Sequence, residues 1–365
     1  MATLASGRSA ASAPLSVRTP NRTATPIVAW LAVCCLLVFA MVVVGGVTRL
    51  THSGLSITEW QPIVGTLPPL DDAQWQAAFE KYQATPEYRQ VNHGMALAEF
   101  KGIFWWEYAH RLLGRAIGVA FLVPYLWFLL RRRVPDGYAW PLAAIFVLGG
   151  LQGAMGWYMV QSGLVDDPRV SHFRLTAHLG LALLIFAAMQ WVAMTLAAPA
   201  SPVPRTIEAR RVRRLAIVVL ALVFLQILAG GLVAGLRAGF AYNTFPLMNG
   251  AIVPPEILML EPAWKNFFWN MATVQFDHRA LAWLLAFAVP WLAWRVHATA
   301  GLPPRAVSAA KLLLGGAVVQ IALGIATLVL AVPLSLAALH QAGAVLLLAA
   351  ALNVAHALSG RTDAS

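Results

Sequence analysis

Eight long apolar stretches run through the chain, and they constrain its fold more than any other feature. Their approximate bounds are 27–48, 104–130, 138–160, 174–197, 213–236, 273–296, 307–331 and 335–357. A helix needs roughly 20 mainly apolar residues to cross the hydrocarbon core of a bilayer. Backbone groups in lipid must find partners within their own segment, so each stretch is predicted to be a transmembrane helix. The alternating pattern of a membrane β-barrel is missing, and we therefore predict an all-α membrane protein.

The composition excludes a soluble or disordered chain. Hydrophobic residues make up 59% of the sequence and charged residues 11%, whereas a soluble domain is about half apolar and about a quarter charged. The only cysteines, Cys34 and Cys35, are adjacent within the first apolar stretch. They can form neither a disulfide framework nor a C-x-x-C site.

Positive charge follows the membrane topology. The formal net charge is +11, and most lysine and arginine residues lie in the N-terminal segment, in every second connection and at the C-terminus. They are Arg8, Arg18, Arg22, Arg131, Arg132, Arg133, Arg205, Arg210, Arg211, Arg213, Arg214, Arg295, Arg305, Lys311 and Arg361. The positive-inside rule then predicts cytoplasmic termini, a cytoplasmic arm over 1–26, and long outward loops over 49–103 and 237–272. The predicted environment is membrane lipid, and nucleic acid is not an expected partner.

The second half of the chain repeats the first. Residues 107–111 match 275–279 and residues 151–156 match 319–324, in both cases at an offset of 168. Two halves with four spans each share one orientation, which is typical of parallel repeats. We predict two four-helix bundles, over 27–200 and 201–365.

Paired glycines recur just before the outward end of the first span of each half. They are Gly45 with Gly46, and Gly230 with Gly231. Small residues in membrane helices usually allow neighbouring backbones to approach closely. We interpret both pairs as packing sites.

Four of the nine histidines lie within predicted spans near their outward ends: His110, His178, His278 and His340. They form two pairs related by the repeat. An ionisable residue inside a span is a functional hypothesis by default. Two histidines on facing helices of a bundle can supply both axial ligands of a heme, so we predict two heme sites.

Other metals fit these residues less well. A structural zinc site wants four converging ligands, commonly with cysteine, whereas the histidines divide between two bundles. A di-iron site needs Glu-x-x-His on two helices and further glutamates. Only Glu107 and His110 match that pattern, since Gln275 precedes His278 in the second half.

The Glu107/Gln275 difference indicates that the two halves differ in chemistry. Each residue lies three positions before its histidine and so on the same helix face. A carboxylate can carry charge or a proton and is costly in a membrane unless it is used. We predict a reacting site in the first half, with Glu107 catalytic, and a permanent cofactor site in the second. The alternative is that Glu107 pairs with Arg111 or Arg115.

At these residues the chain resembles the heme A synthase family, the membrane enzymes that complete heme A for cytochrome oxidases. The resemblance rests on the segments 45–56 (GGVTRLTHSGLS), 60–62 (WQP) with Gly65, Pro68 and Pro69, 107–115 (EYAHRLLGR), 243–248 (NTFPLM) and 275–279 (QFDHR). It covers nearly the whole chain beyond the N-terminal arm.

The resemblance implies the reaction and the role of each pair. The family hydroxylates the C8 methyl of heme O and then oxidises it to a formyl group. His110 and His178 would hold the heme O substrate, and His278 and His340 would hold heme b as an electron-transfer cofactor. Glu107 matches the catalytic-site glutamate of the family. The heme irons would be the bound metal.

Some family members carry a cysteine pair in the first outward loop, and this chain has none there. It therefore resembles the proteobacterial and mitochondrial branch. We expect a bacterial inner membrane in preference to a mitochondrial one. Heme O synthase, an electron donor and a second copy of the chain are the partners that the resemblance leaves open. A di-heme b-type electron-transfer cytochrome is the alternative function. It predicts two equivalent hemes, which the Glu107/Gln275 difference disfavours.

Overall fold

The structure, a computed structural model, describes residues 25–61, 64–165, 167–197 and 202–360. Those residues form helices and connecting loops, and no β-strand occurs among them. The helices are α1 (Thr25–Leu50), α2 (Asp72–Gln83), α3 (Pro86–Gln90), α4 (Leu97–Leu130), α5 (Ala139–Gln161), α6 (His172–Ala197), α7 (Ile207–Gly235), α8 (Asn266–Trp269), α9 (Met271–Ala298), α10 (Pro304–Val329) and α11 (Leu334–Leu358). The predicted arm lies outside the described residues except for its last two positions, which begin α1.

Eight of these helices are long and apolar enough to cross a membrane, counted over the described residues. They are α1, α4, α5, α6, α7, α9, α10 and α11, and they correspond one to one with the predicted spans. The prediction of an all-α membrane protein is therefore confirmed.

Two spans begin earlier than the apolar pattern indicates. Helix α4 starts at Leu97 rather than near 104, and α7 starts at Ile207 rather than near 213. Both extensions carry charge, with Glu99 in the first turn of α4 and Glu208 in that of α7. A polar turn beyond the lipid can remain helical, and hydropathy alone does not register it.

The contacts between helices close each set of four spans into a ring. Helices α1, α4, α5 and α6 contact one another in that order, and α6 returns to α1. Helices α7, α9, α10 and α11 repeat the same order, and α11 returns to α7. The two sets meet through α1 with α11, α6 with α7, and α6 with α11. The first and fourth spans of each set thus form the contact between the halves.

The second glycine of each pair lies at this contact. A Cβ on Gly46 would overlap the amide of Gln341 from α11, and that amide donates to the carbonyl of Val42 at 2.8 Å. A Cβ on Gly231 would lie 3.1 Å from Thr176 Oγ1 of α6. Hydrogen atoms in place of side chains let the halves approach, so the packing interpretation holds for Gly46 and Gly231. The first glycine of each pair, Gly45 or Gly230, instead faces a histidine ring within its own half.

The first long loop packs on the end of α4. Asp71 caps α2 by accepting from the backbone N–H of Gln74, as an N-cap residue should. One side of the helix buries Trp75, Phe79 and Tyr82 against aromatic side chains near the start of α4, Phe100 and Phe104. The loop is therefore a folded layer at one end of the bundle, which we call the long-loop side.

Candidate functional site

The four predicted histidines come together as two separate pairs. His110 on α4 and His178 on α6 lie close enough for their charges to interact, and so do His278 on α9 and His340 on α11. Each side chain is partly buried. Within the described residues, no group of three or more histidine, cysteine, aspartate or glutamate side chains is arranged to hold a metal ion. This geometry suits hemes, which take one or two axial ligands from protein and the remaining four from the porphyrin.

Each histidine ring lies against a glycine of the preceding span. The distances from an ideal glycine Cβ to the nearest ring atom, Cε1, are short in all four cases. They are 2.8 Å for Gly45 and His110, 3.0 Å for Gly156 and His178, 3.2 Å for Gly230 and His278, and 2.9 Å for Gly324 and His340. Contacts this close leave no room for a side chain. The glycines therefore fix how deeply each ring lies between its helices.

Glutamine amides lie beside three of the four rings. Nε2 of Gln226 lies 3.2 Å from His278 Nδ1, and Nε2 of Gln320 lies 3.1 Å from His340 Nδ1. Nε2 of Gln152 is 3.4 Å from His178 Nε2. Each amide also donates to the backbone carbonyl of the same histidine, at 2.8 to 3.1 Å. The amide thus ties the ring to its own backbone. Sequence reasoning missed these glutamines, although each stands four residues before a glycine that faces a ring.

The pair in the first half keeps ring nitrogens without partners. Nδ1 of His110 and Nδ1 of His178 are buried and accept or donate no hydrogen bond among the described residues. Buried polar atoms are nearly always paired, so an orphaned nitrogen needs a reason. Coordination of a heme iron by the imidazole ring would give that reason. The first pair therefore fits the heme ligands that the sequence predicts, whereas in the second pair the glutamine amides already lie near the ring nitrogens.

Glu107 is buried and bonded on all sides. Its side chain is 3% exposed. Oε2 accepts from Ser56 Oγ at 2.7 Å and from the Ile57 N–H at 2.8 Å. Oε1 accepts from Arg111 Nε at 3.0 Å and Nη2 at 2.7 Å. These four bonds use the four lone-pair sites of a carboxylate.

Gln275 holds the equivalent loop of the second half with the opposite polarity. Its Nε2 donates to the carbonyls of Ala238 and Ala241, both at 2.7 Å. Its Oε1 accepts from Arg279 at 3.0 Å, and Arg279 also donates to the carbonyl of Tyr242 at 2.7 Å. The first loop offers donors to a carboxylate, and the second offers acceptors to an amide. Nothing in the sequence marks Ser56 and Ile57 as those donors.

The arginines near these histidines bind loop carbonyls. Arg111 donates to the carbonyls of Ile57 and Glu59 at 2.7 and 2.8 Å, and Arg115 donates to Gln61 at 2.9 Å. The ion pair of Glu107 is thus with Arg111, one of the two alternatives considered above. The two arginines hold the first long loop on α4, the helix that also carries His110.

A second carboxylate is buried in the loop layer. Glu87 of α3 is 4% exposed. Its Oε2 accepts a hydrogen bond from the phenol OH of Tyr82 at 3.4 Å. Burial, together with the negative charge of Glu107, raises the pKa of Glu87 to about 7. The loop therefore brings a second acidic group near Glu107. The sequence gives no sign of this, since Glu87 stands in a polar segment.

The fold and the site define a polytopic α-helical membrane protein with two partly buried histidine pairs, of the kind that can hold two hemes. The sequence profile of the COX15-CtaA family, described as cytochrome oxidase assembly protein, matches residues 28–352. The chain belongs to this family.

Curated relatives agree with that placement. A protein from Nitrosospira multiformis named Heme A synthase is 59% identical over 91% of this chain and 93% of its own length. One of the same name from Nitrosomonas eutropha is 54% identical over 92% of this chain and 94% of its own length. Another, from Rhodospirillum centenum, is 50% identical over 90% of this chain and 88% of its own.

Proposed function

We propose that this chain is a heme A synthase, which converts heme O to heme A by hydroxylating the C8 methyl and oxidising it to a formyl group. The observation that carries the proposal is that each half holds one pair of histidines, in a chain that shares 59% identity with a protein of that name. Two heme sites with unlike surroundings suit one substrate heme and one resident heme.

His278 and His340 would hold heme b, and His110 and His178 would hold heme O. The amide contacts support this division, because both rings of the second pair have an amide within 3.2 Å of Nδ1. A firmly held pair suits a cofactor that stays. Heme b would supply one-electron transfer when bound. The first pair has less support and suits a heme that enters and leaves.

Glu107 would position the site rather than transfer a proton. All four lone-pair sites of its carboxylate are used by Ser56, Ile57 and Arg111. The carboxylate therefore fixes the loop 51–59 to α4 one turn before His110. Its negative charge also stays at a defined place beside the substrate pair, where it would stabilise positive charge that develops on the methyl carbon during oxidation.

The chain would lie in the bacterial inner membrane with both termini in the cytoplasm. The α4–α5 connection carries Arg131 to Arg133, and the first turns of α7 carry Arg210, Arg211, Arg213 and Arg214, in both cases opposite the long-loop side. The positive-inside rule puts those clusters in the cytoplasm. The histidine pairs would then lie toward the outer face. We propose heme O synthase, which would supply the substrate, and an electron donor as protein partners.

Heme extraction from a host that makes heme O tests the function. We expect heme A in extracts of cells that express the chain and none in cells that lack it. The His110→Ala variant should lose heme A, whereas His297→Ala, which alters an exposed histidine at the other end of α9, should keep it. Unmodified hemes bound to a stable native chain would instead support the electron-transfer cytochrome.

A further inference from the structure

The position that carries glutamine beside three of the histidines carries methionine beside the fourth. Gln152, Gln226 and Gln320 each stand four residues before the glycine that faces a histidine ring. The equivalent residue before Gly45, which faces His110, is Met41. This departure occurs at one of the four glycine–histidine contacts, and it falls in the first half.

Met41 packs against α4 instead of binding the ring. Its Cε lies 3.4 Å from the Cβ position of Gly114, one turn beyond His110 on the same helix. Nδ1 of His110 has no partner among the described residues, and neither has Nδ1 of His178, but the Gln152 amide lies 3.4 Å from the other nitrogen of the His178 ring. A thioether is only a weak acceptor, whereas an amide oxygen accepts strongly. His110 therefore lacks the tie that the other three histidines have.

An iron-bound imidazole almost always donates its second ring N–H to an acceptor, which fixes the ring and raises its basicity. The Oε1 atoms of Gln152, Gln226 and Gln320 have no partner among the described residues. Each is part of an amide that already lies within 3.4 Å of a ring nitrogen. The oxygen can accept from the ring N–H of a bound histidine if the amide turns about its terminal bond and gives up its present bond to the histidine carbonyl.

We propose that Met41 makes His110 the exchangeable axial ligand of the substrate heme, while Gln152 keeps His178 as the fixed ligand. The inference rests on the proposed function, because it assigns heme O to this pair. One firm and one loose ligand let the substrate stay oriented while the other coordination position opens. In the second half, Gln226 and Gln320 tie both rings, so the cofactor heme is held on both sides.

Exchange of the two residue types between the halves tests the inference. The full-length chain, purified in lipid nanodiscs and loaded with heme b and heme O, is mixed with excess apomyoglobin, and the transfer of each heme is followed by absorbance. Met41→Gln should slow the transfer of heme O by about ten- to a hundredfold, the usual effect of such a partner on metal affinity. Gln320→Met should speed the transfer of heme b by a similar factor.

Matched controls separate hydrogen bonding from packing. Met41→Leu fills the same space without an acceptor and should transfer heme O at the rate of the native chain. Gln320→Leu removes the amide without adding a sulfur and should release heme b as fast as Gln320→Met does. Electron paramagnetic resonance of the low-spin heme should shift with Gln320→Met, because the ring loses its fixed orientation.

The possible failures are distinct. If Met41→Gln leaves the heme O transfer rate unchanged while Gln320→Met speeds heme b loss, the amide tie is real and the assignment of His110 as the exchangeable ligand is wrong. If neither exchange changes a rate, the glutamines only pack, and the inference fails. If the native chain takes up no heme O at all, the proposed function fails with it.

Discussion

Replacing the carboxylate of Glu107 by an amide is the sharpest test of how the first half works. In Glu107→Gln, one oxygen becomes an NH₂ group. Whichever way the amide turns, this donor faces either the N–H of Ile57 or the guanidinium of Arg111, which are donors too. Ser56 alone can reverse its hydroxyl. The variant therefore loses charge-assisted hydrogen bonds, and the buried guanidinium of Arg111 keeps only carbonyl oxygens as partners.

The structure sets the size of this effect. Arg111 is 16% exposed and lies 2.7 Å from Glu107, so the pair is largely buried. Removing one partner of a buried pair costs about 3–5 kcal/mol. A penalty of that size should undock the loop 51–59 from α4. The rest of the fold should remain, because the spans are held by lipid and by packing on the other faces.

Three measurements on the Glu107→Gln protein follow. Hydrogen exchange over 51–59 should rise by about two orders of magnitude or more, since each 1.4 kcal/mol is a factor of ten. Heme A formation should fall by at least about a hundredfold, within the range for lost positioning and charge stabilisation. The heme b absorbance of the His278/His340 pair should stay. A native heme A rate would refute any role of Glu107 beyond pairing with Arg111.

The second half provides the matched control. Gln275→Glu puts a carboxylate against the carbonyls of Ala238 and Ala241, which repel it, so the loop that follows α7 should undock instead. If Glu107→Gln exchanged hydrogen no faster over 51–59 than the native chain, the argument from donors and acceptors would be wrong. A fall in heme A with the loop still protected would assign Glu107 a chemical role.

Three further outcomes are expected. His340→Ala should lose heme b or shift its spectrum toward high spin, because one axial imidazole is missing; a native spectrum and heme content would refute that pair. Trypsin added to spheroplasts should cleave the loop 67–96 and spare 131–138, and the opposite pattern would reverse the topology. Burial raises the pKa of Glu87 to about 7, above its value in the unfolded chain. Because the unfolded chain loses this proton first, the free energy of unfolding of the loop layer should fall as pH rises from about 4.5 to about 7. Glu87→Gln should therefore raise the free energy of unfolding of the loop layer at pH 8, measured by proteolysis, by up to roughly 3 kcal/mol, and it should make little difference at pH 4. Equal protection of both proteins at both pH values would show that Glu87 is charged and compensated in the folded chain.

The sequence by itself determined the membrane fold. Within lipid, the backbone of a long apolar stretch can satisfy its hydrogen bonds internally only as a helix, so eight spans and their order follow from hydropathy alone. The four histidines were also visible, because an ionisable residue stands out in an apolar span and the repeat doubles the signal. Even the difference between Glu107 and Gln275 could be read without coordinates.

Only the tertiary structure decided what these residues meet. Glu107 contacts Ser56 and Ile57, which are 51 and 50 residues away, and a backbone N–H leaves no mark in a sequence. The amide of Gln226 reaches His278 from another helix, 52 residues earlier. Hydropathy reports how much each residue prefers lipid, but hydrogen bonding depends on which donors and acceptors the packed helices bring within about 3 Å. That is why the four candidate histidines could be picked out from the sequence, whereas the residues that contact them could not.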